Sequence, residues 1–315
     1  MIENQRMPSV LVTGGTGVVG KKLTALLTEK GYSVIILTRN AAGRAPRAGV
    51  VYKEWNIEKG EINDSAVAEA DYIIHLAGAG VADSRWTTKR KAEIVSSRTE
   101  SSALLVKAAI RYPNRLKAVI SASAIGWYRE DGQRTEPEGF EENAPAAPGF
   151  LGETCRLWEA SVAPFEQMGK RVAILRTGLV LSNDGGVLVE FKKPMKYGLA
   201  TILGSGEQVM SWIHVEDVCR MYLYALENET ITGPYNAVAP APVKHKDLVL
   251  KLAEKVRGKS YTSMHAPGFV LKLMLGEMSI EVLKSATISA AKIKAAGFRF
   301  LYPSIDAALE QLTKK

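Results

Sequence analysis

Residues 9–40 read SVLVTGGTGVVGKKLTALLTEKGYSVIILTRN. Val10 to Thr13 is an apolar, β-branched run with the character of a buried strand. A glycine turn follows, spaced Gly14-x-x-Gly17-x-x-Gly20. Beyond it Val19, Leu23, Leu26 and Leu27 share one helical face, and Gly31 is placed to end that helix. Tyr32 to Thr38 is a second buried strand. The stretch is therefore a βαβ unit with a glycine turn between its first strand and its helix. In this spacing the first Gly permits the tight turn, the second lets a pyrophosphate approach the backbone, and the third lets helix and strand pack closely. The helix N-terminus offers free N–H groups and a positive dipole end. Gly14, Gly15, Thr16, Gly17, Val18, Val19 and Gly20 are the expected phosphate cradle.

Working outward, strands and helices continue to alternate. Strands are expected at Val50–Trp55, Asp71–Leu76, Lys117–Ala122 and Arg171–Leu181, and a long helix over Trp86–Ile110. That alternation predicts an α/β fold: a Rossmann-type doubly wound parallel sheet covered on both faces. Residues 129–150, acidic and rich in Pro and Gly, are expected as a surface excursion over the carboxyl ends of the strands. After about residue 182 the chain becomes loop-rich, and helices dominate from 243. Two domains are expected: a Rossmann domain over 8–181 and a smaller, mostly helical C-terminal lobe over 182–315, with the ligand cleft between them.

Composition narrows the function classes. The chain has 315 residues, 46% hydrophobic and 23% charged, which suits a globular protein with a sizeable core. No apolar run is long enough to span a bilayer and the N-terminus lacks a signal-peptide core, so a cytoplasmic protein without a membrane partner is expected. Two distant cysteines, Cys155 and Cys219, argue against a disulfide framework and a cysteine metal site; no metal is expected. The net charge of +8 comes from scattered Lys and Arg without a nucleic-acid motif, so no nucleic-acid partner is expected either.

Three further stretches carry candidate chemistry. NAD sites place an acid at the end of the second strand; here the sequence is Thr38-Arg39-Asn40. An Arg at this point pairs with a 2′-phosphate and stacks on adenine, which favours NADP(H) over NAD, with Arg44 as a helper. Leu76-Ala77-Gly78 ends the fourth expected strand with small residues, suited to a ribose passing close to backbone or to a plain turn. SASAIGWY (121–128) brings Ser123 and Tyr128 to a strand end. They are the candidate catalytic pair, the Ser orienting a substrate oxygen and the Tyr moving a proton. The alternative is that their hydroxyls satisfy nearby backbone.

Taken together, these stretches resemble the extended short-chain dehydrogenase/reductase superfamily, of the nucleotide-sugar epimerase and dehydratase kind. HLAGAGVADSRWTTKRKAEIVSSR, FLGETCRLWE, RTGLVLSNDGG, GSGEQVMSWIHVEDV and KAAGFRFLYPSIDAALEQL narrow the resemblance to an atypical epimerase-like branch with its own C-terminal module, about 262–312 here. The resemblance implies cofactor contacts from the Gly14–Gly20 loop, Thr38, Arg39, Leu76, Ala77, Gly78, Glu93, Arg98 and Val180. It also implies a small-molecule substrate, a sugar nucleotide in many relatives. It puts Leu151 and Cys155 where the superfamily carries its Tyr-x-x-x-Lys pair. Two functions follow as expectations. One is an NADP(H)-dependent oxidoreductase or epimerase using other proton-transfer groups. The other is a non-catalytic NADPH-binding sensor or regulator. Trp86, Gln208 and Trp212 are candidates for the substrate cleft, and His214 for orienting the lobe junction. Cys155 is expected to be a buried, inert thiol.

Overall fold

The computed structural model describes residues 6–133 and 137–314; residues 134–136 of the expected excursion lie outside the described residues. The first half of the chain follows the predicted alternation. β1 (Ser9–Thr13), α1 (Val18–Glu29) and β2 (Ser33–Thr38) form the opening βαβ unit. β3 (Val50–Asn56), β4 (Glu61–Ile62), α2 (Asp64–Ala68), β5 (Tyr72–His75), α3 (Thr88–Arg111) and β6 (Ala118–Ala124) come next. α4 (Phe150–Val162), α5 (Pro164–Gln167) and β7 (Arg171–Thr177) follow. Local chemistry sets the boundaries. Gly31, at φ +83°, lets Tyr32 N–H reach back to the Leu27 carbonyl and ends α1. Thr87 caps α3 by accepting from Arg90 N–H at 3.1 Å, so the helix begins after Trp86 rather than at it.

The expected strand over 171–181 is two strands. A Cβ built on Gly178 would stand 2.6 Å from the Ser211 carbonyl oxygen and 2.9 Å from Val238. The chain bends at this glycine. β8 (Leu179–Leu181) then leaves the large sheet to pair with the later strand 212–214. The remaining elements are α6 (Val187–Met195), β9 (Leu199–Leu203), β10 (Val209–Met210), β11 (Trp212–His214), α7 (Val215–Glu227) and β12 (Gly233–Ala237). β13 (Val243–Lys244), α8 (His245–Arg257), β14 (Thr262–Ala266), α9 (Gly268–Leu275), α10 (Ser279–Leu283), α11 (Ala291–Ala295) and α12 (Ile305–Thr313) complete the chain.

The large sheet runs β12-β7-β6-β5-β1-β2-β3-β4, parallel except for the β3–β4 pair. Its order reverses between β1 and β5, the switch point at which such sheets open a crevice. Both faces are apolar. Val10 and Val12 join Leu23 and Leu27 of α1 and Met221 and Tyr222 of α7. Leu11, between them, faces Leu104 and Leu105 of α3 and Phe165 of α5. This is why β1 reads as a continuous apolar run rather than an alternating one. A third core joins α6, α8, β9 and α12 through Leu188, Leu248, Ile202 and Leu309, and fills the smaller lobe.

Two features depart from the expected layout. α7 packs on α1, and β12 forms the edge of the large sheet, so the chain returns to the Rossmann layer after residue 182. The excursion is stitched down onto the segment 285–289. Phe140 is buried and exchanges backbone hydrogen bonds with Thr287 and Ser289. The Asp131 carboxylate accepts from the Thr287 N–H and the Ser285 and Thr287 hydroxyls.

Candidate dinucleotide site

The glycine turn sits at the switch point, and its three glycines have distinct steric reasons. Gly14 has φ +66°, and a Cβ there would fall 2.8 Å from the Leu76 carbonyl carbon and oxygen. It provides the left-handed turn and the close pass to β5. A Cβ on Gly20 would come within 2.2 Å of the Gly14 carbonyl oxygen, so only Gly lets the helix sit on its own turn. Gly17 differs: a Cβ there would meet only the Gly14 oxygen, at 3.4 Å, and otherwise open space. That space lies at the N-terminus of α1. Gly17, its N-cap, makes no side-chain capping bond, and the first turn carries no acid. Free N–H groups, a positive dipole end and room above Gly17 fit a pyrophosphate.

At the end of β2, Thr38 is buried and its hydroxyl accepts from Asn40 N–H at 3.4 Å, which shapes the turn. Arg39 is exposed and enters no ion pair among the described residues. The nearest acid by register is Glu54, opposite Thr38 on β3, and it accepts from Ala41 N–H at 3.1 Å. The cation at this strand end is therefore free, and the neighbouring carboxylate braces the following loop.

At the end of β5, the Thr13 oxygen accepts from the N–H groups of Leu76 and Ala77 at 3.0 and 3.1 Å. Its hydroxyl also meets His75 Nδ1 at 2.7 Å, while His75 Nε2 meets Ser101 and Ser102 on α3 at 3.3 and 3.0 Å. Both serine hydroxyls donate to the Arg98 carbonyl. The network closes if Thr13 donates to Nδ1 and Nε2–H donates to the serines. His75 is fully buried, and desolvation pushes its pKa down to about 4. It is a neutral tie between β1, β5 and α3, set away from the cleft.

Arg98 lies beneath the same segment. A Cβ on Gly78 would come 3.0 Å from its guanidinium carbon. Its Nη1 donates to the carbonyls of Ala79 and Ile94, and its guanidinium lies 4.8 Å from the Trp158 ring centroid. Arg98 is only 8% exposed and has no carboxylate partner among the described residues, and desolvation pulls its pKa down. Glu93, by contrast, is exposed at the rim and paired with Arg90 at 2.8 Å. Val180 is half-buried on β8. The loop after it approaches α1: a Cβ on Gly185 would come 2.7 Å from Val18, and Asp184 pairs with Lys22 at 3.6 Å.

The candidate catalytic pair is placed differently from expectation. Ser123 is 2% exposed and donates to Glu159 at 2.6 Å. Tyr128 is fully buried, donates to Asn236 at 2.6 Å and accepts from Arg176 at 3.0 Å. Burial pushes its pKa up to about 12. Both hydroxyls are committed to one interior network centred on Arg176, whose guanidinium is also stacked 3.7 Å from the Trp127 ring centroid. The sequence signal for this network was Arg176 itself, a charge inside the apolar run RVAILRT. Its partners Glu159 and Tyr128 lie 17 and 48 positions away, which no spacing argument reaches.

Leu151 and Cys155 share one face of α4, one turn apart, and both flank Gly126. Cys155 is buried, its thiol held 3.5 Å from the Ala124 carbonyl, and desolvation with the nearby Glu159 pushes its pKa up to about 11. Buried and protonated, the thiol has the character of a structural cysteine. Of the cleft candidates, Trp212 is fully buried and bonded to the Ala241 carbonyl, and Gln208 is bonded to the Leu203 carbonyl. Trp86 packs edge-on against Phe150 at the rim. His214 caps α7, accepting from Glu216 N–H, and its Nε2 meets Gln311 of α12 at 3.0 Å. Asp217, fully buried, accepts from the Leu301 and Tyr302 N–H groups. The His-x-x-Asp motif thus holds the end of the chain.

A switch-point crevice with a glycine cradle and short-chain-dehydrogenase strand order defines a nicotinamide-dinucleotide class of protein. The chain belongs to the NAD dependent epimerase/dehydratase family, whose model matches residues 10–237; residues 266–312 match a domain of unknown function, DUF1731. It is 35% identical over 304 residues to the epimerase family protein YfhF of Bacillus subtilis (strain 168), covering 96% of this chain and 97% of that one. An epimerase family protein of Staphylococcus aureus (strain NCTC 8325 / PS 47) is 34% identical over 309 residues, covering 98% and 100%. The crystal structure of human epimerase family protein SDR39U1 (isoform 2) with NADPH superposes with a TM-score of 0.83 at 25% identity, over 97% of this chain and 99% of that one. The fold is also that of UDP-glucose 4-epimerase from Thermotoga maritima, solved with UDP-glucose, at TM-score 0.78 and 22% identity over 97% of each chain.

Proposed function

We propose that this protein binds NADP(H) in the switch-point crevice and is an oxidoreductase or epimerase acting on a small hydroxyl- or carbonyl-bearing substrate of the sugar-nucleotide kind. The observation that carries the reading is the pairing of the Gly14–Gly20 cradle, sterically obligate at Gly14 and Gly20 and open above Gly17, with an Arg39 free of ion pairs among the described residues at the end of β2. The cradle's N–H groups would hold the pyrophosphate, and Thr38 and Arg39 would meet the adenosine 2′-phosphate. Leu76, Ala77 and Gly78 would line the ribose, with Arg98 as a buried cation beneath them and Val180 across the cleft. Glu93 would act at the rim, once released from Arg90. The nicotinamide, when bound, supplies or accepts a hydride. The human relative solved with NADPH supports this choice of cofactor.

The test is calorimetric titration of NADPH and NADH into the wild type and Arg39→Asp. A preference for NADPH of at least about tenfold, or about 1.4 kcal/mol, is expected, and the variant should lose it. Equal affinity for the two nucleotides in the wild type would sink the assignment.

One observation favours a second reading, an NADPH-holding regulator that does not turn over. The hydroxyls of Ser123 and Tyr128 are locked in the Arg176 network, and Leu151 and Cys155 offer no acid or base in place of Tyr and Lys. Bound NADPH would then stay reduced in the presence of carbonyl substrates. Sustained loss of nicotinamide absorbance with any such substrate would exclude this reading.

A further inference from the structure

The C-terminal module turns an apolar face outward. In α9, GFVLKLML, only Leu271 is buried. Phe269, Leu273 and Met274 are 75%, 76% and 66% exposed, and Ile280 on the adjoining α10 is 64% exposed. Together these four side chains make an apolar patch comparable to the ~300–600 Å² that the largest patch on a typical monomer reaches.

The charges around this patch are unbalanced. Glu277 pairs with Lys91 and Glu281 with Lys284, while Asp83 shares Arg90 with Glu93. Lys272, on α9 itself, is exposed and has no carboxylate partner among the described residues. Arg85 gives its Nη2 to the Leu273 carbonyl, which orients the guanidinium beside the patch without neutralising it. The result is an apolar face with a positive rim, on a chain of net charge +8.

We propose that α9 and α10 seat this protein on an anionic lipid surface. Phe269, Leu273, Met274 and Ile280 enter the headgroup–acyl boundary, and Lys272 and Arg85 meet lipid phosphates. No helix among the described residues is long and apolar enough to cross a membrane, so the association is peripheral. Two observations favour lipid over a second copy of the chain. Two copies at +8 repel, whereas an anionic bilayer attracts them. The patch also falls short of the ~800 Å² per partner that a standard interface buries. Arg85 and the Lys91–Glu277 pair tie the seat to the loop and helix that carry Trp86 and Glu93, and vesicle binding is measured without nucleotide so that its outcome is independent of the cofactor reading.

The experiment is co-sedimentation of the full chain with phosphatidylcholine vesicles, with and without phosphatidylglycerol. Its partners are Phe269→Ser/Leu273→Ser and Lys272→Glu, all at exposed positions, with unchanged melting curves as the folding control. Binding is expected only with phosphatidylglycerol, weakened by salt, and at least about tenfold weaker in both variants. Absence of binding to the anionic vesicles, or equal binding by the variants, would overturn the proposal. So would a wild-type dimer in light scattering that the double variant converts to monomer without any vesicle binding, since the face would then serve copy-to-copy contact.

Discussion

The Glu159 carboxylate receives both the Nε and Nη2 hydrogens of Arg176, at 2.8 and 2.9 Å, with the two side chains only 10% and 3% exposed. Paired donors in a fork meet a planar acceptor in a dry interior, the geometry in which a charge pair is most directional. Breaking such a pair leaves the other charge buried and alone. Glu159→Ala is therefore expected to cost about 3–5 kcal/mol in urea unfolding. Ser123→Ala removes one donor to the same carboxylate and should cost about 1.5–3 kcal/mol, with NADPH affinity unchanged. A large fall in NADPH affinity without loss of stability would instead place Ser123 in the cleft.

The three glycines of the cradle should separate under substitution. Gly20→Ala drives a Cβ into the Gly14 carbonyl and should leave little folded protein. Gly17→Ala has room, so stability should change by less than about 1 kcal/mol. Yet the methyl occupies the space above the α1 N-terminus, so NADPH affinity should fall by more than about tenfold. Denaturation and calorimetry on the same preparations check both halves. Undiminished NADPH binding by Gly17→Ala would move the pyrophosphate elsewhere.

Two buried imidazoles give the fold an acid limit. Desolvation pushes His75 and His245 down from 6.5 to about 4. The unfolded chain takes these protons near pH 6.5, whereas the folded chain resists until about 4. Their contribution is therefore fully present above about pH 6.5 and is lost as pH falls toward 4, by up to about 1.4 kcal/mol per unit for each. Both ring nitrogens of His245 lack a hydrogen-bond partner among the described residues, and the ring packs edge-on against Phe191. His245→Phe should raise stability at pH 7 by about 1 kcal/mol and flatten the acid slope. An unchanged slope would mean that the imidazole is already charged or hydrated in the fold.

Asp217 anchors the final segment through two backbone N–H groups and Arg220. Asp217→Ala should expose the chain near Leu301 and Tyr302 to limited proteolysis while the Rossmann sheet survives. Resistance equal to the wild type would show that α12 is held by its apolar face alone.

Much of the fold was legible because its signals are local. The β1–turn–α1–β2 unit rests on apolar period, a C-cap and glycine spacing, all within 32 residues. The glycine turn between β1 and α1 was legible for the same reason. The bend at Gly178 was not, because its cause is the Ser211 carbonyl and Val238, distant in sequence. Whether the Ser123 and Tyr128 hydroxyls at this strand end are free or bonded stayed open in the sequence, because the partners that engage them, Glu159 and Asn236, arrive from α4 and β12. A hydroxyl's availability depends on where the rest of the chain goes, and spacing alone does not carry that information.

The return of β12 to the edge of the large sheet bears on how such a protein is assembled by recombination. The stretch that completes the cofactor sheet, α7 through β12, is encoded between two stretches that build the other lobe. No single crossover in the gene exchanges one lobe for another intact. A chimera that takes a new substrate side from a relative needs junctions on both sides of residues 215–237, and one cut at 182 would strand an edge strand and its covering helix in the wrong parent.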